Sequence, residues 1–251
     1  MALLTSLLAA SSMTLTGEGS SLTVSDRTVP AGQPLYQLAD ADTIQVKTKS
    51  GYSFGWVSQV LKPTGKSLNP VKYRVALPKG KSISRVTNVV LAIPPGGSAP
   101  LIAKQTCLEF GVATVALQSV SGGRDSARLA SQGLAVAKDL LRQNPDLKFI
   151  FSGFSMGGFG AQHLGQHFID RCTGLLLIGN YYLDPPFPAG RPVVMLVGAS
   201  DMHLGYAEKS LKEQSDYGTN IQLLTMPGGH GYGRQQDQDR ALKALIDRIR
   251  R

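Results

Sequence analysis

The chain has 251 residues, 42% of them hydrophobic and 17% charged, which is enough to bury a sizeable core in one or two domains. Its formal charge of +9 is uneven, with ten Lys and Arg and no acid between Lys47 and Lys104. The two cysteines, Cys107 and Cys172, are too few and too far apart for a disulfide framework or a cysteine-rich zinc site, and no low-complexity tract or clear long repeat marks a fibrous or solenoid protein.

In chain order, "MALLTSLLAASSMTL" carries an apolar run followed by Ala-Ser-Ser but lacks the basic start of a signal peptide. It is too short to anchor in a bilayer, so residues 1–14 read as a signal-like or disordered segment, with no transmembrane span. Export and a cytoplasmic location stay equally open. Residues 15–62 show short alternating runs (Leu22 and Val24; Thr43, Ile44 and Val46) cut by turn signals, the pattern of a small β-rich region. Its close, Gly55-Trp56-Val57-Ser58, resembles the end of bacterial SH3-like domains. Residues 63–70, in "KPTGKSLNP", read as a linker. The basic stretch 47–104 suits either a solvated face or an anionic surface. No zinc finger, helix-turn-helix or aromatic RNA motif accompanies it, so nucleic acid is not expected as a partner.

From residue 71 to 251 strands and helices alternate. "YRVALP", "VTNVVLAIPP", "VATVALQS", "LKFIFSG", "GLLLIGNY", "PVVMLVGAS" and "IQLLTMP" are the strand runs. "APLIAKQTCLEFG", "SARLASQGLAVAKDLLRQN", "MGGFGAQHLGQHFI", "GYAEKSLKEQSD" and "RQQDQDRALKALIDRIRR" carry helical character, the first ending at Gly111 and the second before Pro145. Near-continuous apolar strands between such helices define an α/β protein, a mostly parallel sheet with helices on both faces. Ligand sites in such sheets gather at the carboxyl ends of the strands.

One such end reads Gly153-Phe154-Ser155-Met156-Gly157. A serine on a strained strand-to-helix turn projects its hydroxyl above the sheet, and small neighbours are needed where strand and helix crowd. Serine needs a base. Of four histidines, His230 in "MPGGHGYG" follows the last apolar strand on a glycine-rich loop that can fold back over the sheet. His163 and His167 lie four apart on the helix after the turn, but no acid stands at ligand spacing, so no metal site is expected. His203 reads as a loop residue near the site. Asp201, ending "VVMLVGASD", is the favoured partner for the imidazole, and Asp184 in "YYLDPP" is the competing acid.

The order Ser155, Asp201, His230, with these loop contexts, resembles the α/β-hydrolase superfamily over about residues 71–251, in particular small lidless serine esterases, with looser similarity to dienelactone-hydrolase-like and polymer-esterase-like members. The resemblance implies an oxyanion hole made by the N–H of Met156 and an N–H from the turn after the early strand. That turn reads Ile93-Pro94-Pro95-Gly96-Gly97-Ser98 where the superfamily often has His-Gly-x-Gly. Neither proline can donate, which leaves Gly96, Gly97 or Ser98. The short connector "FPAGR" has no room for a lid, and Tyr181, Tyr182 and Phe187 are candidates for an apolar pocket wall. The implied activity is hydrolysis of a small or polymer-borne carboxylic ester without a cofactor. A peptidase or thioesterase on the same triad is the alternative within acyl transfer. An inactive surface- or carbohydrate-binding protein, suggested by Trp56 and the basic stretch, is the alternative outside it.

Overall fold

The apolar runs become strands buried on both faces. The computed structural model describes residues 12–17, 20–121, 123–183 and 191–251. Strands β1 (Ser12–Gly17), β2 (Ser20–Val29) and β5 (Val71–Pro78) precede β6 (Asn88–Ile93), β7 (Ala113–Gln118), β8 (Lys148–Phe154), β9 (Cys172–Ile178), β10 (Val193–Gly198) and β11 (Ile221–Met226). These nine form one sheet in the order β1-β2-β5-β7-β6-β8-β9-β10-β11. From β7 to β11 every pairing is parallel, and β1, β2 and β5 add an antiparallel edge. All six residues of β10 are buried, because helices cover both faces there.

The connecting helices are α1 (Lys104–Phe110), α2 (Ser126–Gln143), α3 (Met156–His167), α4 (Leu204–Asp216) and α5 (Gln235–Ile249). Helix α2 starts where the Asp125 carboxylate accepts a bond from Arg128 N–H at 2.9 Å, satisfying an amide that the helix itself cannot. It buries Leu129, Leu134, Val136 and Leu140 against one face of the sheet, together with α3 and Ala207 of α4. On the other face, Leu242, Leu245 and Ile246 of α5 pack with Cys107 of α1 against Val90, Ile150 and Val194.

The N-terminal part is β-rich, but it is not laid out as an SH3-like module followed by a linker. β2 is hydrogen-bonded to β5 from Leu22↔Pro78 to Val29↔Val71, inside the main sheet. A separate barrel would need these strands to pair with one another. The two long strands β3 (Pro34–Lys47) and β4 (Ser53–Ser67) instead form a two-stranded sheet that rests on α2 and α3. β4 runs straight through residues 63–67, where a linker was expected. Pro63 is tolerated because the ribbon's outer edges need no ladder donor at that position. Leu61 and Leu68 join the main core, and Ser131 Oγ of α2 accepts a bond from Tyr36 N–H at 2.8 Å. The Trp56 side chain lies outside the described residues.

A smaller correction concerns α1, for which the sequence suggests a start at Ala99. It begins only at Lys104, because Ala103 is left-handed (φ 48°) and breaks the helical run. The amides of Ala103 and Lys104 donate to Gln238 and Gln235 of α5, at 3.2 Å each. Gly111 ends the helix in the left-handed conformation, as its position suggests. Cys107 and Cys172 are free and buried, and burial pushes the Cys172 thiol up to about 12, so neither is poised as a nucleophile. Among the described residues no helix is long and apolar enough to cross a membrane.

Candidate active site

Ser155 stands between β8 and α3 with φ 52° and ψ −124°, a conformation that costs a residue with a side chain about 1–3 kcal/mol. Three bonds hold it there. Its N–H donates to Ile178 O at 2.9 Å, and its carbonyl accepts from Gly158 N–H at 2.9 Å and from Asn180 Nδ2 at 3.1 Å. The glycines around it are required by contact. A Cβ on Gly153 would lie 2.1 Å from Gly157 O, and one on Gly157 would lie 2.2 Å from Ile93 O. The turn therefore packs directly on the ends of β6 and β8, and the serine is lifted to the carboxyl edge of the sheet.

Asp201 and His230 meet at that same edge. β10 ends at Gly198, and Asp201 N–H donates back to Gly198 O at 3.0 Å, closing a turn that aims the carboxylate across the sheet end. The loop after β11 folds against this turn, with Ser200 N–H donating to Gly228 O at 2.9 Å. A Cβ on Gly198 would sit 2.2 Å from Gly229 O, so only glycine lets the loop approach this closely. The result is a bond of 2.8 Å between His230 Nδ1 and Asp201 Oδ2. The other carboxylate oxygen, Oδ1, accepts His203 N–H at 2.9 Å. Asp201 is 6% exposed. Burial pushes its pKa up, but the His203 N–H and the His230 imidazole outweigh this and hold the carboxyl below its ordinary 3.8. It is ionised at neutral pH.

His230 lies over the residue that precedes the serine, its ring 4.9 Å from that of Phe154. Gly179 packs against both so tightly that a Cβ there would be 2.7 Å from the Phe154 ring and 3.4 Å from the imidazole. The acid–imidazole pair and the serine turn are thus adjacent, but among the described residues no hydrogen bond joins Ser155 Oγ to His230.

The proline-containing turn after β6 is narrower in its options than the sequence allows. Gly97 N–H donates to Val120 O at 3.0 Å, and Val120 N–H returns a bond to Gly97 O at 2.6 Å, in an isolated antiparallel bridge. Gly97 therefore has no amide left for a bound oxyanion. Gly96 N–H, and Met156 N–H in the first turn of α3, have no partner among the described residues.

The aromatic candidates divide. Tyr181 stacks on His203 at 4.5 Å and sits 6.1 Å from Tyr206, beside the acid–imidazole pair. Tyr182 is exposed, and its carbonyl accepts from Gln162 Nε2 at 2.9 Å. Phe187 and Asp184 lie outside the described residues. His163 and His167 are elsewhere: His163 is buried 3.2 Å from Ser126 Oγ, and both line a separate cleft between the β3–β4 ribbon and α3. The sequence reading missed Asn180. It is fully buried, braces the Ser155 carbonyl, and would be struck by a Cβ on Gly158 at 2.6 Å. The available signal was a lone amide closing the apolar run "LLLIGN", where a buried polar group must have a partner.

No protein-family model and no curated protein matches the chain in sequence. Among solved structures it is similar to the dienelactone hydrolase of Anabaena variabilis, with 18% identity and a TM-score of 0.53 over 86% of this chain and 96% of that one. It is also similar to an S-formylglutathione hydrolase from Agrobacterium tumefaciens, with 14% identity and a TM-score of 0.54 over 94% and 98%. A third is the Bacillus cereus carboxylesterase, with 13% identity and a TM-score of 0.52 over 71% and 94%. At these identities the likeness speaks to architecture. The sheet order, its helical layers and these neighbours define an α/β-hydrolase fold.

Proposed function

We propose that this chain is a serine hydrolase that cleaves carboxylic esters through an acyl-enzyme, with Ser155 as nucleophile, His230 as base and Asp201 as its partner. The observation that carries the reading is the 2.8 Å bond from a buried, ionised Asp201 to His230 Nδ1, at the sheet edge where Ser155 is held in a strained turn. A carboxylate at Nδ1 fixes the tautomer whose Nε2 accepts a proton. In catalysis Nε2 takes the Ser155 proton as Oγ attacks the ester carbonyl. His230 then protonates the leaving alcohol, and a water deprotonated by the same nitrogen releases the acid. The Met156 and Gly96 amides are the donors for the developing oxyanion, and each such donor is worth about 3 kcal/mol of barrier. Tyr181 and Tyr206 border the site and suit an apolar group on the ester. The lysines and arginines of the stretch 47–104 are the groups suited to an anionic, polymer-borne substrate.

Thioesters share the chemistry, and one structural neighbour is an S-formylglutathione hydrolase. The test is labelling with a fluorophosphonate probe, followed by hydrolysis of matched oxyester, thioester and amide substrates. Wild type should be labelled, and Ser155→Ala and His230→Ala should lose labelling and turnover, by a factor on the order of 10⁴, while keeping native circular dichroism. Equal labelling of wild type and Ser155→Ala would sink the nucleophile. No labelling of folded wild type would favour a binding protein instead.

A further inference from the structure

Acyl transfer as set out above uses one histidine at Asp201, yet two flank it. His203 opens α4, and its Nδ1 lies 3.2 Å from Asp201 Oδ1. That nitrogen is buried and makes no hydrogen bond, because the ring is close to the carboxylate without being aligned to donate to it. His230 Nδ1 stands 2.8 Å from the other oxygen. The rings of the two histidines are 5.3 Å apart and nearly perpendicular. One ligand atom from each of Asp201, His203 and His230 can be chosen so that all three lie within 4.8 Å of one another, and no other such group occurs among the described residues.

Two imidazoles and a carboxylate are a common ligand set for Zn²⁺, which binds nitrogen and oxygen at about 2.0–2.2 Å in a tetrahedron, so that ligand atoms stand about 3.3 Å apart. The two imidazole–carboxylate distances, 3.2 Å and 2.8 Å, lie just below that value, and the ligand atoms of all three side chains lie within 4.8 Å of one another. Approach is open. The Asp201 side chain is fully covered, but the His203 and His230 side chains are 29% and 32% exposed, so an ion can enter from their side and water can take the fourth position.

We propose that Asp201, His203 and His230 form a reversible Zn²⁺ site that switches this enzyme off. Coordination needs the lone pair of His230 Nδ1. The proton on this nitrogen passes to water and Nε2 takes one from water, so the ring stays neutral with its single proton on Nε2 and no net proton is released. In that tautomer Nε2 cannot accept the Ser155 proton, and the Asp201 carboxylate is held by the ion. The site itself follows from the geometry; the loss of activity rests on the esterase reading.

The test is equilibrium dialysis of chelator-stripped, untagged protein against Zn²⁺, with Co²⁺ absorption as a check on tetrahedral coordination. Wild type and Ser155→Ala should each bind one ion per chain at this site. His203→Ala, which keeps the backbone N–H to Asp201, should bind at least about tenfold more weakly, since even residues behind a metal ligand are worth that much. The double variant His163→Gln/His167→Gln should bind as wild type does. No binding by wild type, or loss in the double variant rather than in His203→Ala, would overturn the site. Ester hydrolysis should fall with the same midpoint as binding and return on adding a chelator, and a zinc-loaded enzyme at full activity would overturn the switch. If wild type binds Zn²⁺ but hydrolyses no ester, the esterase reading fails and the metal site stands.

Discussion

The seat of His230 can be tested from the opposite side of its loop. A methyl group on Gly198, at the end of β10, would stand 2.2 Å from Gly229 O and 2.4 Å from Gly228 O. A carbon meets a carbonyl oxygen comfortably at about 3.3 Å or more, so the gap must widen by about 1 Å. Both obstacles are backbone, and no side chain can swing aside. The loop is also tied down by the bond from Ser200 N–H to Gly228 O at 2.9 Å. Gly198→Ala therefore moves His230 relative to Asp201 and Ser155, and a misplacement of about 1 Å costs on the order of 100-fold in rate. The packing strain should lower stability by about 1–3 kcal/mol without unfolding the sheet. Measured on a small activated aryl ester, kcat/KM should fall by about that factor, and the fluorophosphonate labelling rate should fall with it. Gly231→Ala is the control, because a Cβ there meets nothing within 4 Å although Gly231 adjoins His230. A Gly198→Ala enzyme with wild-type kcat/KM, or a Gly231→Ala enzyme equally impaired, would refute the idea that the close approach at Gly198 sets the imidazole.

Two further outcomes follow from burial and topology. Burial pushes His163 down to about 4 from its ordinary 6.5, so it is neutral in the fold. Its contribution to stability is whole above pH 6.5 and is lost as pH falls toward 4, because the unfolded chain takes up the proton first. At about 1.4 kcal/mol per pH unit that amounts to roughly 3 kcal/mol. Urea unfolding of wild type and His163→Gln should diverge across this window, and identical pH profiles would show that His163 is not so buried. Deleting residues 1–65 removes β2, one of the two strands paired with β5, and most of the ribbon over α2 and α3, so the truncated chain should be insoluble or unfolded. A soluble truncation with native circular dichroism would restore a separate N-terminal module.

The sequence alone carried the class of fold and the serine turn. Both rest on local physics. Continuous apolar runs between amphipathic helices can only be buried as a covered, mostly parallel sheet, and small residues at Gly153 and Gly157 are read directly from the crowding that such a turn imposes. Asp201 and His230 were legible one at a time, as polar residues closing apolar strands. Their pairing was expected too, with Asp184 as the competing acid, but the geometry that brings it about was not. They are 29 residues apart, and their contact depends on β10 and β11 pairing in parallel register and on a loop that fits only over Gly198. The same holds for the residues the sequence left in the background. Asn180 acquires its task only when β9 ends beside α3, and His203 reaches Asp201 only through the turn that opens α4. Gly97 looked like a free donor until Val120 came to lie across from it. The N-terminal strands show the limit most plainly: alternation and turn signals announce strands, but the partner of a strand is chosen by the edge left open elsewhere. Here β5 offered β2 an unpaired edge of the main sheet, and the ladder of hydrogen bonds and the apolar burial along that edge decided the architecture.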